Sequence, residues 1–125
     1  MNLLLRFTVL MVGASLSATD ALAQQPRTFN RDVAPVLFAR CAACHRPWQT
    51  APFSLLSFED VRPRAKRIAE VVRTRAMPPW KPEPNHGAFQ GDRRLTQAEI
   101  ETIETWVADG MLRGSPSDLP PLPAV

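Results

Sequence analysis

The chain has 125 residues, 15 Lys and Arg against 12 Asp and Glu, a net charge of +3, and 13 prolines. That length suits one small domain, and the prolines exclude an architecture of long helices. The charge excess is mild, and the arginines of 62–75 and 93–94 are interleaved with acids, so no run is dense enough to point to nucleic acid.

Residues 1–23 read as a cleavable export signal. Arg6 gives a positive start, "FTVLMVGASLSA" an apolar run, and "ALA" at 21–23 the small residues of a cut near Ala23. Gly13, Ser15 and Ser17 dilute the run too much for a comfortable membrane span. Cleavage removes Arg6 and Asp20, so the charge stays at +3, and leaves roughly 102 residues from Gln24. No later segment is suited to crossing a membrane. The expectation is a periplasmic protein divided into a signal (1–23), one domain (24–114) and a Pro-rich tail (115–125).

A first helix is expected from an Asp32 N-cap, with Pro35 in its first turn and Cys41 at its end. Val33, Val36 and Leu37 share its inward stripe. After the loop "RPWQTAPFSL", Ser57 and Asp60 resemble a capping pair, and Pro63 should bend or restart the chain before a helix over about 64–75 that buries Ala65, Ile68, Ala69 and Val72. "MPPWKPEPNHGAFQGDRR" (77–94) reads as a loop. "LTQAEIETIETWVADG" is the strongest helix signal: Thr96 and Glu99 form a capping box, Leu95 and Ile100 a hydrophobic staple, and Gly110 a left-handed stop. Its apolar stripe is Ile100, Ile103, Trp106 and Val107. The tail "SPSDLPPLPAV" should be extended and mobile. No useful β alternation occurs, so the class is all-α with long loops.

Both cysteines and one of the two histidines fall within "CAACH" (41–45). A thioredoxin-like redox pair needs its C-x-x-C at the start of a helix in a βαβ setting, whereas this pair ends a helix in an all-α chain. Zinc would need Cys41, Cys44, His45 and His86 together, and the adjacency of Cys44 and His45 makes tetrahedral ligation awkward. C-x-x-C-H is also the signature of covalent haem attachment. There two thiols add to the vinyl groups on one porphyrin edge, and the following histidine turns to the iron. The context favours this third reading.

From "FNRDVAPVLFARCAACHRP" through "MPPW" to "RLTQAEIETIETWVADG", the chain resembles the cytochrome c family, specifically a small single-haem, class I-like domain. The resemblance implies a cytochrome c-like fold of about three main helices and long Pro-rich loops around one covalent haem c. Cys41 and Cys44 would be the thioether links, and His45 and Met77 the axial ligands of the iron. A thioether ligand favours ferrous iron, and Pro78 and Pro79 restrict the backbone after Met77. Met111 and His86 are the rival sixth ligands. Met111 suits a hydrophobic closure after Gly110, and His86 sits in a glycine-flanked loop. The resemblance also offers the Pro52 carbonyl, with Pro47 competing, as acceptor for the second His45 ring nitrogen. Trp80, Arg64, Arg67 and Lys81 are candidates for the haem propionates, and Phe29, Val33, Phe38, Leu55, Ile68 and Trp106 for apolar cover.

The implied function is electron transfer between a redox protein donor and acceptor, without substrate chemistry, by a monomer or a docked subunit. The alternatives are a haem-bearing subunit of a larger oxidoreductase, and a haem enzyme or sensor with an open sixth position.

Overall fold

The computed structural model describes residues 25–124. The expected leader and its cut near Ala23 lie outside the described residues. Within them the chain is all-α, with no strand and one isolated β-bridge, Thr28 to Leu112.

The first helical segment begins earlier than its sequence suggests. A π-helical turn, Phe29–Val33, leads into α1, Ala34–Arg40. The N-cap is Thr28, whose hydroxyl accepts from Arg31 N, and Asp32 instead reaches back to accept from Thr28 N at 2.7 Å. The two residues satisfy each other's end of the turn in the manner of a capping box, which is why Asp32 mimics an N-cap in the sequence. Pro35 falls in the first turn of α1, where a missing N–H breaks no bond, and Cys41 is the C-cap.

Ser57 caps α2, Phe58–Val61, by accepting from Asp60 N at 3.1 Å. A 3-10 turn, Arg62–Arg64, carries Pro63 and redirects the chain into α3, Ala65–Arg73. Ala65, Ile68 and Val72 are buried along α3, and Ala69 is half-buried. The last helix, α4, Gln97–Ala108, has both bonds of the Thr96–Glu99 capping box, and Gly110 follows it at φ 93°.

The core lies where α3 packs on α4 and α4 on the π-helical turn. Trp106, fully buried, sits 6.0 Å from the Phe29 ring, and its indole N–H donates to Leu112 O at 2.9 Å. Phe29, Val33, Phe38, Leu55, Ile68 and Trp106, the residues expected to give apolar cover, all belong to this core. An ion pair between Arg40 and Glu99 (3.0 Å) ties the end of α1 to the start of α4. The end of α1, which bears the cysteines, therefore rests on the best-packed part of the molecule.

The tail is not free. Residues Pro116–Asp118 form a 3-10 turn, the buried Asn30 donates from Nδ2 to Ser115 O at 2.7 Å, and Arg46 donates to Pro123 O at 2.9 Å. A donor and acceptors more than seventy residues apart make these bonds, so local composition carries no trace of them.

Candidate functional site

Cys41, Cys44 and His45 occupy one tight turn at the C-terminus of α1. The Leu37 carbonyl accepts both Cys41 N (2.8 Å) and Ala42 N (2.9 Å), which widens the last helical turn. The Cys41 carbonyl then accepts Cys44 N at 3.1 Å and His45 N at 2.9 Å. Two thiols three positions apart and the next imidazole are thus set by backbone bonds rather than by long side-chain reach. Neither cysteine is in a disulfide, and Cys41 packs against the core. Burial pushes the Cys41 thiol up to about 12, with the Cys44 and Glu99 charges adding to the rise and Arg40 opposing it. At neutral pH this thiol is protonated.

His45 is held at three points. Its carbonyl accepts Leu55 N at 3.0 Å, its ring lies 4.7 Å from the Phe53 ring, and its Nδ1 is 3.2 Å from Phe53 O. A carbonyl only accepts, so Nδ1 carries the proton, and in the neutral ring the lone pair is on Nε2. The acceptor is Phe53, not Pro52 or Pro47. The Leu55–His45 bond draws the chain back so that the carbonyl one residue past Pro52 meets the ring. Arg64 stacks on the far partner, its guanidinium 4.8 Å from the Phe53 ring centre.

Met77 is placed differently. Its amide donates to Val71 O at 3.1 Å, which folds the chain back on the end of α3, but the residue is 42% exposed. It lines a cleft of about 150 Å³ with Val72, Arg75, Pro78, Trp80, Lys81, Leu95 and Ile100. Cys41, Cys44 and His45 do not line that cleft. Trp80, one of the lining residues, has a buried Nε1–H with no hydrogen-bond partner among the described residues. Arg75 already donates to Leu95 O (3.1 Å) and Arg94 is paired with Asp92, whereas Lys81, also on the cleft, has no carboxylate partner among the described residues.

The other sequence candidates have engagements of their own. His86 is exposed and its Nδ1 bonds to Pro84 O at 3.1 Å. Among the described residues, no three of His, Cys, Asp and Glu gather as metal ligands, so the zinc set of Cys41, Cys44, His45 and His86 is not assembled. Met111, at φ 59°, donates its amide to Trp106 O at 3.0 Å and packs on the core, the role of a helix closure. Arg67 pairs with Glu70 at 2.7 Å on the exposed face of α3. Sequence reasoning missed Phe53, which supplies both the carbonyl and the aromatic wall for His45. Its only signal is an aromatic residue eight positions after the histidine in a proline-bearing loop.

No helix among the described residues is long and apolar enough to cross a membrane. Comparison with family models, with curated proteins and with solved structures returns no match for this chain.

Proposed function

We propose that the chain is a cytochrome c-like electron carrier that would bind one haem c covalently through Cys41 and Cys44, with His45 and Met77 as the residues that would hold its iron. The observation that carries this reading is the state of His45: Nδ1 is committed to Phe53 O, which leaves Nε2 as a metal-binding lone pair one residue from a free thiol. Two free cysteines and an oriented imidazole in one turn are the donor set that covalent haem attachment needs. Lys81, exposed on the cleft and without a carboxylate partner among the described residues, would offset the charge of a propionate.

The bound haem would supply the reversible ferric–ferrous couple. The chain's own contribution is to hold, cover and limit. Phe53 fixes the tautomer and rotation of His45, so the ligand keeps its geometry when the charge on the metal changes. Leu37, Phe38, Leu55 and Ile68, buried near the motif turn and α3, keep water from that side and favour the less charged state. Export to the periplasm and exchange with separate donor and acceptor proteins belong to the same reading, because the thiols need an apparatus that attaches haem outside the reducing cytosol.

A second reading is favoured by the exposure of Met77. A methionine 42% open to solvent leaves a sixth position that an external ligand could occupy, as in a haem sensor or enzyme. The intact mass of chain produced with haem-maturation capacity tests the main reading: the mass of one haem remains bound after denaturation, and it disappears in Cys41→Ala/Cys44→Ala. Carbon monoxide separates the two readings. Immediate binding to the reduced protein supports the open site, and slow or absent binding supports the closed carrier.

A further inference from the structure

The loop that follows the motif ends in the most exposed large apolar side chain among the described residues. Ala51 N bonds to Cys44 O at 3.1 Å and closes residues 44–51 on themselves. At the tip, Gln49 N bonds to Arg46 O at 3.3 Å, so Arg46, Pro47, Trp48 and Gln49 form a turn. Trp48 occupies the third position with φ 65°, a left-handed conformation that suits Gly or Asn and disfavours a bulky side chain. It is 100% exposed. The fold gains no packing from this indole, and the turn would form more easily without it.

The surroundings supply charge and a second apolar edge. Arg46 donates to Ala42 O at 3.0 Å and to Pro123 O at 2.9 Å, drawing the tail against the motif turn two residues from Trp48. In the extended tail, Leu119 and Leu122 are three apart and exposed, while Pro120 and Pro123 are half-buried, so the leucines form the outer edge. Arg93 Nη1 lies 3.9 Å from Cys44 Sγ. Arg46 and Arg93 have no carboxylate partner among the described residues, a property they share with Arg62, Arg64 and Arg75.

We propose that this face docks peripherally on an anionic lipid surface, with Trp48 at the headgroup boundary, the Leu119–Leu122 edge beside the acyl region, and Arg46 and Arg93 over the phosphates. An indole is apolar in body and polar at its N–H, which suits that boundary. Uncompensated guanidinium groups add attraction to anionic lipid. A single projecting side chain is a poor centre for a protein interface, which needs a broad complementary patch, whereas a headgroup layer deforms around it. The inference stands apart from the haem reading in Trp48, Arg46 and the tail leucines, and meets it only where Arg93 approaches Cys44 Sγ, the sulfur that reading uses.

The test uses the full processed chain, sedimented with vesicles of phosphatidylglycerol and phosphatidylcholine or of phosphatidylcholine alone, with tryptophan emission recorded in parallel. Binding to the anionic vesicles is expected, weakening with salt, with a blue shift that is lost in Trp48→Phe and kept in Trp80→Phe. Trp48→Ala should lower the partition coefficient about tenfold, and Arg93→Gln about fivefold. Far-UV circular dichroism of both variants should match the parent, since neither side chain packs in the core. No binding to the anionic vesicles, or binding unchanged by Trp48→Ala, would overturn the proposal. An equal response to soluble polyglutamate would overturn it too, and would assign the face to an acidic protein.

Discussion

The turn carrying Cys41, Cys44 and His45 and the loop carrying Met77 flank the same helical core, yet they are fastened in different ways. In the first, Leu37, Cys41, Cys44, His45 and Phe53 all contribute carbonyls to a closed set of hydrogen bonds. In the second, Met77 N to Val71 O anchors the start, and a 3.4 Å bond from His86 N to Glu83 O, local contacts of His86 and Arg94, and one long contact from Arg93 Nη1 to Cys44 Sγ at 3.9 Å follow across some seventeen residues. Prolines at 78, 79, 82 and 84 explain part of this, since each removes a donor. The difference teaches that one ligand of the proposed centre is preset by the fold, while the other depends on a segment whose local stability is low.

The comparison breaks first if equal truncations in the two regions cost the same. Trp106→Ala, in the core where α4 meets the first helical turn, should lose about 3–5 kcal/mol in urea unfolding. Phe89→Ala, whose ring is 45% exposed and meets Trp80 edge-on at 6.1 Å, should lose less than about 1 kcal/mol. A similar loss for both would mean that the Met77 loop is as integral as the core.

Gly114→Ala gives the next largest effect. Gly114 has φ 86°, and an added Cβ would lie 2.6 Å from Thr28 Oγ1. Thr28 also caps the first helical turn, so the clash strikes the bridge between the two ends of the domain. A loss of about 1–3 kcal/mol is expected from the urea midpoint at unchanged slope.

Thr96→Ala sharpens the same contrast at about 1 kcal/mol, because it removes one arm of the capping box that starts α4. A pH titration of stability adds a sign. Burial raises the Glu99 carboxyl, but the Thr96 amide, Arg40 and the Thr96 hydroxyl overcome it and hold the group below its ordinary value of 4.5. Asp32 is likewise lowered: burial opposes, and the Thr28 amide with Arg31 and Arg27 prevails. A lowered folded pKa means that the stabilisation is complete above the unfolded value and is lost as pH falls through the folded one. Urea midpoints should therefore drop below about pH 4, and Glu99→Gln should flatten part of that drop.

What the sequence revealed follows the range of the interactions. The α4 boundaries and the Ser57 cap were legible because cap and partner lie three residues apart and one pattern encodes both. The first helix was misplaced by four residues, because Thr28 and Asp32 are both acceptable caps and only the structure reveals which one accepts from the helix and which one reaches back. The order of the tail is invisible in its own composition because the Asn30–Ser115 and Arg46–Pro123 bonds join distant parts of the chain. At the site, the cysteines and histidine were legible as a contiguous motif, but the choice of Phe53 over Pro52 depends on how the 46–55 loop folds back through Leu55 N to His45 O. The exposure of Met77 was hidden for the same reason.

The most direct test of the central claim is the pyridine haemochrome spectrum of the chain matured in a periplasm able to attach haem. A thioether-linked spectrum at one haem per chain is the predicted result. A chain with no thioether-linked haem would contradict the account and return Cys41, Cys44 and His45 to the unexplained.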